Sequence, residues 1–230
     1  MTQQWNNGFL FKIVLLLNIS GFVEGNDIGI ITFANLYYQN RFFLSLGALG
    51  AGFGALFSGP LVDRYGRRWI VMFADMLYLS GSVLCSFYEY ELATVLIGRL
   101  LIGVAIGVTS MNVPIYLTEI CPISLRGKLV AFFTFLVVFG QLIANIAALI
   151  LGKKFIGMVW FSGALCFVQF IAVMLWMPES PRWLAKNGQQ GEASTVLKQI
   201  YKPESVQIYI RSLQREVSVG GSAMQLSLKV

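Results

Sequence analysis

The sequence contains no histidine and little charge, with Asp, Glu, Lys and Arg together making up only 12% of 230 residues. Without imidazole, the commonest metal ligand and the usual near-neutral proton relay are both missing. The charge is about half that of an ordinary soluble domain. Cysteine is also scarce. Cys85, Cys121 and Cys166 stand far apart, two in apolar runs and one beside a loop. That spacing excludes a disulfide framework and leaves reduced, structural thiols. No nucleophile–base pairing and no metal-ligand spacing is visible, so the reading is no enzyme, no metal and no cofactor. The net charge of +6 is not gathered into a basic patch interleaved with stacking aromatics, which argues against a nucleic-acid partner.

Hydrophobic residues take up what charge leaves, at 57% of the chain with a mean hydropathy of +0.70. They gather into six runs, at 9–31, 42–62, 69–87, 92–117, 129–151 and 155–177. Each run is about 20 residues, enough for a helix to cross roughly 30 Å of hydrocarbon. The expected class is therefore all-α membrane, a six-transmembrane-helix bundle over 1–181 embedded in a lipid bilayer. A cleaved signal peptide is the other reading of the first run. The uncharged start, the absence of a small-residue cleavage pattern and the apolar residues beyond Asp27 speak against it. Asn18-Ile19-Ser20 spells a glycosylation sequon, but it lies inside that run. Gly21, Gly25 and Gly29 recur every four residues there, a stripe on which another helix can approach closely.

The short connections carry the charge. Arg64, Arg67, Arg68, Arg126 and Lys128 fall between spans two and three or four and five, whereas Arg41, Lys153 and Lys154 fall on the other side. The more basic side is the cytoplasmic one, so six spans put both termini in the cytoplasm. Residues 182–217 read as a cytoplasmic helical segment, with one short helix over 181–201 and another over 203–217. Residues 218–230 read as a disordered tail.

Charged side chains inside a span cost several kcal/mol unless they pair or face water. Glu24, Asp27, Asp75 and Arg99 are the candidates. An Asp27–Arg99 pair relieves both burial costs and can act as a proton switch, since opening the pair changes the acid's proton affinity. A static pair that fixes helix register is the alternative. Asp75 lies about 10 Å from Arg68 by helix rise and is expected to snorkel to the cytoplasmic surface. Thr134, Gln141 and Asn145 share one face of span five, and Ser110 lies below Arg99 on span four. Such a face suits a small polar solute, and interhelical polar contacts are the other use for it. At the cytoplasmic span ends Asp63, Glu119 and Glu179 face Arg67, Arg68, Arg126 and Arg182. These groups can pair in one conformation and separate in another, or simply remain solvated.

These residues resemble a family. Gly59-x-x-x-Asp63-Arg64-x-Gly66-Arg67-Arg68 matches the loop signature of the major facilitator superfamily at every defined position. Pro178-Glu179-Ser180-Pro181-Arg182-Trp183-Leu184 resembles the sugar-porter signature after the sixth span. Pro114-Ile115-Tyr116-Leu117-Thr118-Glu119, Arg126-Gly127-Lys128, Gly98-Arg99 and Phe139-Gly140-Gln141 resemble the same family. The likeness covers nearly all of 9–200 and implies the N-terminal half of a major facilitator fold. It also implies transport of a sugar or polyol by alternating access. Asp63, Arg67, Arg68, Glu119, Arg126, Glu179 and Arg182 would form the cytoplasmic gate. Asp27, paired with Arg99, matches the family's proton-coupled members and favours symport.

Two departures from the pattern shift these expectations. The family's Phe-Gly-Tyr-Asp reads Glu24-Gly25-Asn26-Asp27 here, and its first span-five glutamine is Thr134, with Gln141 retained. The candidate solute ligands are thus Gln141, Thr134, Asn145 and Glu24, and an inositol-like, cationic or other organic solute stands beside a hexose. Organic-cation carriers share the loop and Pro-Glu-Ser-Pro signatures. The family also has about twelve spans, so the expectation is a half-length form whose partner is a second six-helix half or another copy of itself. A membrane sensor or regulatory half-transporter that does not itself transport is the alternative from another class.

Overall fold

The computed structural model describes residues 7–38, 41–87, 92–151, 155–201, 206, 209 and 210. The expected loop at 88–91, the turn at 152–154, most of the helix at 203–217 and the tail at 218–230 lie outside them. The described chain is nearly all helical. In order the helices are α1 (Asn7–Tyr38), α2 (Arg41–Tyr65), α3 (Arg67–Cys85), α4 (Leu92–Ile120), α5 (Ile123–Leu151), α6 (Phe155–Trp176), α7 (Pro181–Lys186) and α8 (Gln190–Ile200). Among the described residues, the first six are long and apolar enough to cross a membrane. At 1.5 Å per residue, the 29-residue α4 and α5 reach about 43 Å, so they extend beyond the hydrocarbon or tilt within it.

α1 lies along α5, α2 along α4, and α3 bridges α4 and α6, with α6 closing back onto α1. Small residues set these pairings. A Cβ on Gly25 would fall on the Val137 backbone carbonyl, so the α1 glycine stripe is where α5 approaches. The α2–α4 seam is built the same way, with Gly54 against Val104 and Gly107 against Ala51. This is the close backbone approach that helices use in lipid, where apolar burial drives little association. The outward surface is apolar, with Leu56, Phe57, Leu149, Ile150, Trp160 and Trp176 exposed, as a hydrocarbon-facing wall requires.

Helix boundaries depart from the expected loops. The connection between spans two and three shrinks to Gly66, whose φ of 93° lies where a side chain is disfavoured. Arg67 and Arg68 therefore open α3 and do not belong to a loop. The expected loop at 118–128 likewise contracts to Cys121-Pro122, which moves Glu119 into α4 and Arg126 into α5. The expected single helix over 181–201 is two. α7 is capped by Ser180, whose hydroxyl accepts from the Trp183 amide at 3.4 Å, and it ends before Gly188, at φ 80°. α7 and α8 bury Leu184, Val196, Leu197 and Ile200 in one cluster with Leu17, Tyr116, Ile120 and Met177. The segment after the sixth span is thus fastened under the bundle.

Asp75 does not snorkel. It is 3% exposed, because α3 turns it inward between α1 and α6 rather than along the bundle's outer wall. Its Oδ1 accepts from Gln169 Nε2 at 3.3 Å and from the Cys166 thiol at 3.7 Å.

Candidate functional site

Among the described residues the bundle holds two ion-paired centres. The first joins α1 to α4 within the membrane span. Arg99 Nη1 donates to Asp27 Oδ1 at 2.9 Å, with the two residues 0% and 2% exposed. The pair is held by one hydrogen bond. Arg99 Nε and Nη2 and Asp27 Oδ2 have no partner in the structure. A buried ion pair repays its desolvation only when its remaining donors and acceptors are satisfied. This one leaves three of its buried polar atoms unsatisfied. Beside it, Asn26 of α1 donates to Ser162 of α6.

Glu24 lies one turn before Asp27. Its Oε1 accepts from Ser110 of α4 at 2.7 Å. Two of the expected solute residues, Gln141 and Asn145, are half-buried on α5, while Thr134 is exposed and donates to its own Val130 carbonyl at 3.2 Å. α5 buries Phe133, Gly140, Ala144 and Ala148. Thr134, Gln141 and Asn145 each follow one of these residues and so lie on the adjoining flank. Gly29 sits against the Gln141 carbonyl and Ala144, which puts Gln141 level with the Asp27–Gly29 turn of α1. The structure thus brings Glu24 to Ser110 and Asp27 to Arg99, with the α5 flank at the same depth.

The second centre lies at the end where α2 meets α3. Arg67 Nη2 contacts Glu119 Oε1 at 2.8 Å and Asp63 Oδ1 at 3.5 Å, and its Nη1 donates to the Val62 carbonyl at 3.3 Å. Glu119 Oε2 accepts from Ser180 Oγ at 2.6 Å. Glu179 caps α3. Its Oε1 accepts from the Arg67 and Ser180 amides, each at 2.8 Å, and its Oε2 from the Arg68 amide at 3.2 Å. A carboxylate at a helix N-terminus satisfies orphan amides and meets the favourable end of the helix dipole. Burial nonetheless pushes the Glu179 carboxyl above its ordinary value of 4.5, against the lowering by those amides and by Arg67. Arg68 Nη2 donates to the Met174 carbonyl at 2.6 Å. Lys186 reaches Asp63 at 3.7 Å, and Trp183 Nε1 donates to the Asp63 carbonyl at 2.9 Å. Arg126 is directed elsewhere, to the Cys121 carbonyl at 3.2 Å and the Tyr209 hydroxyl at 3.3 Å. Arg182 is exposed at the second position of α7.

Sequence reasoning missed several members of these centres. Asn112 donates to the Arg67 carbonyl at 2.9 Å, and Tyr116 to the Pro178 carbonyl at 2.8 Å. A lone amide and a lone phenol in an apolar run were the signals available. Gln169 of α6 donates to Ser20 Oγ at 2.5 Å as well as to Asp75.

Six lipid-length helices among the described residues, with one ionic centre inside the bundle and another at one end, define an integral, multi-pass membrane protein. The chain belongs to the sugar porter family of the major facilitator superfamily, whose model, described as sugar (and other) transporter, matches residues 33–228. It is 31% identical over 228 residues to probable inositol transporter 2 of Arabidopsis thaliana, covering 93% of this chain and 39% of that protein. It is 35% identical over 215 residues to the proton myo-inositol cotransporter hmit-1.2 of Caenorhabditis elegans, covering 84% of this chain and 34% of that one. Among solved structures, the proton:xylose symporter XylE with bound 6-bromo-6-deoxy-D-glucose superposes with a TM-score of 0.81 at 23% identity. That match covers 98% of this chain and 57% of the other. The chain therefore spans little more than a third of the length of these curated relatives.

Proposed function

We propose that this chain is the N-terminal half of a carrier that moves a sugar or polyol by alternating access, coupled to protons. The observation that carries the reading is the wholly buried, singly hydrogen-bonded Asp27–Arg99 pair, level with Gln141 on α5. Protonation of Asp27 frees Arg99, and the energy that held α1 to α4 becomes available for a change of state. The α5 flank, with Gln141, Thr134 and Asn145, supplies hydroxyl and amide partners to the solute, and Glu24 borders that surface from α1. A ring of hydroxyls on the solute matches these donors and acceptors. The inositol carriers among the relatives make a cyclic polyol the first solute to try.

In this reading Asp63, Arg67, Arg68, Glu119 and Glu179 form the gate lock, with Arg126 and Arg182 at its margin. The lock holds α2, α3, α4 and the start of α7 together in one state and parts in the other. Its basic residues favour a cytoplasmic position for that end, with both termini on the same side. A second six-helix half would cover the polar flank of α5, which is costly to leave against lipid.

The test is uptake into proteoliposomes containing this chain together with a complementary six-helix half. The expected result is accumulation of myo-inositol under an inward proton gradient, abolished by a protonophore. No uptake of any polyol or sugar, with any complementary half, would overturn the proposal.

A further inference from the structure

A cavity of about 20 Å³ lies inside the bundle between α1, α3, α4 and α6, away from the α5 flank. Its lining includes Ser20 and Glu24 of α1, Asp75 and Tyr78 of α3, Thr109 of α4, and Cys166 and Gln169 of α6. The volume is sufficient for a water molecule, and the site is polar enough to hold one. Two carboxylates line it, each with one oxygen satisfied and one not. Glu24 Oε1 is taken by Ser110 and Asp75 Oδ1 by Gln169 and Cys166, whereas Glu24 Oε2 and Asp75 Oδ2 are buried and unpartnered. No lysine or arginine is among the lining residues. The nearby cation, Arg99, is bound to Asp27. The titratable groups around Asp75 are Glu24 from α1, Tyr78 on its own helix and Cys166 from α6. α4 contributes only Ala105, Ile106 and Thr109.

Two ionised carboxylates cannot share a water-sized cavity in a low-dielectric bundle without a cation. One of the two acids therefore keeps a proton. We infer that Asp75 and Glu24 form a second proton-holding site, in which Asp75 Oδ2 carries a proton and donates it through one water to Glu24 Oε2. The site is separate from the Asp27–Arg99 pair and does not depend on the transport reading. As a neutral acid, Asp75 satisfies its free oxygen by donating, and the water supplies the partner that Glu24 Oε2 lacks. Both atoms left over in the geometry are thereby accounted for.

Infrared difference spectroscopy of the purified chain in lipid nanodiscs, read in the carbonyl-stretch region of protonated carboxylic acids, tests this. The wild-type protein is expected to show a deuterium-sensitive acid band that persists at pH 7. The band should be lost in Asp75→Asn, retained in Asp27→Asn, and shifted in frequency in Glu24→Gln. Folding of each variant is checked by helical circular dichroism. If Asp75→Asn does not fold, the Glu24→Gln shift and the wild-type titration carry the test. Absence of an acid band at pH 7, an unchanged band in a folded Asp75→Asn, or an unchanged frequency in Glu24→Gln overturns the inference. Loss of the wild-type band on addition of sodium ions also overturns it, since that would make the occupant a cation.

Discussion

Glu119→Ala should weaken the bundle by about 3 kcal/mol. Glu119 supplies the 2.8 Å partner of Arg67 and the 2.6 Å acceptor of the Ser180 hydroxyl. The Arg67 side chain is 8% exposed, so its charge has no route to water once Glu119 is gone. Removing one member of a buried pair costs about 3–5 kcal/mol, chiefly because the other is left uncompensated. Asp63 remains at 3.5 Å but is 58% exposed, so it compensates only in part and places the loss near the lower end. At about 2–4 °C per kcal/mol for a chain of this size, the thermal midpoint should fall by about 6–12 °C. Helical circular dichroism in detergent micelles measures it. The double variant Arg67→Met/Glu119→Ala removes both charges and should recover about 2 kcal/mol of the summed single losses. A midpoint for Glu119→Ala within about 2 °C of wild type would refute the reasoning, as would strictly additive single losses.

The other predictions concern backbone approach, pH and thiol access. Gly25→Ala drives a methyl into the Val137 backbone and should cost about 3 kcal/mol or more, whereas Gly52→Ala, with nothing within 4 Å of the new atom, should be neutral or gain up to about 1 kcal/mol; thermal midpoints compare the two. Glu179 binds its proton more tightly in the folded chain than in the unfolded one. Its contribution to stability is therefore fully present below pH 4.5 and is lost as pH rises towards its higher folded value. Unfolding titrations at successive pH values should show this decline in the wild type and its absence in Glu179→Gln. Burial pushes the Cys121 thiol up to about 12, so a maleimide should leave it unmodified at pH 7.5 and react once the bundle is unfolded, as mass spectrometry would detect.

The six membrane helices were legible because length and apolarity alone demand them: a predominantly apolar run of about 20 residues has few other fates. The Asp27–Arg99 pair was legible for a related reason, since two opposite charges inside apolar spans have strong cause to meet. What could not be read were features decided by contacts distant in sequence. Asp75 looked like a snorkelling residue because Gln169 and Cys166, more than 90 residues away, were not visible as its neighbours. Arg67 and Arg68 looked like loop residues because a single positive-φ glycine suffices to separate α2 from α3. Arg126 carried the right charge for the proposed lock, but α5 begins at Ile123 and turns it towards Cys121 and Tyr209. The break between α7 and α8 was visible only as a glycine, whose backbone angle the neighbouring letters do not determine.

The account rests on the proton sensitivity of the α1–α4 ion pair, and Asp27→Asn tests it most directly. The variant is reconstituted with a complementary half, and two rates are measured on the same vesicles. One is accumulation of myo-inositol under a proton gradient, and the other is exchange of labelled solute with no gradient. The account predicts that accumulation is lost while exchange persists. Gradient-driven accumulation at the wild-type level in Asp27→Asn would contradict it.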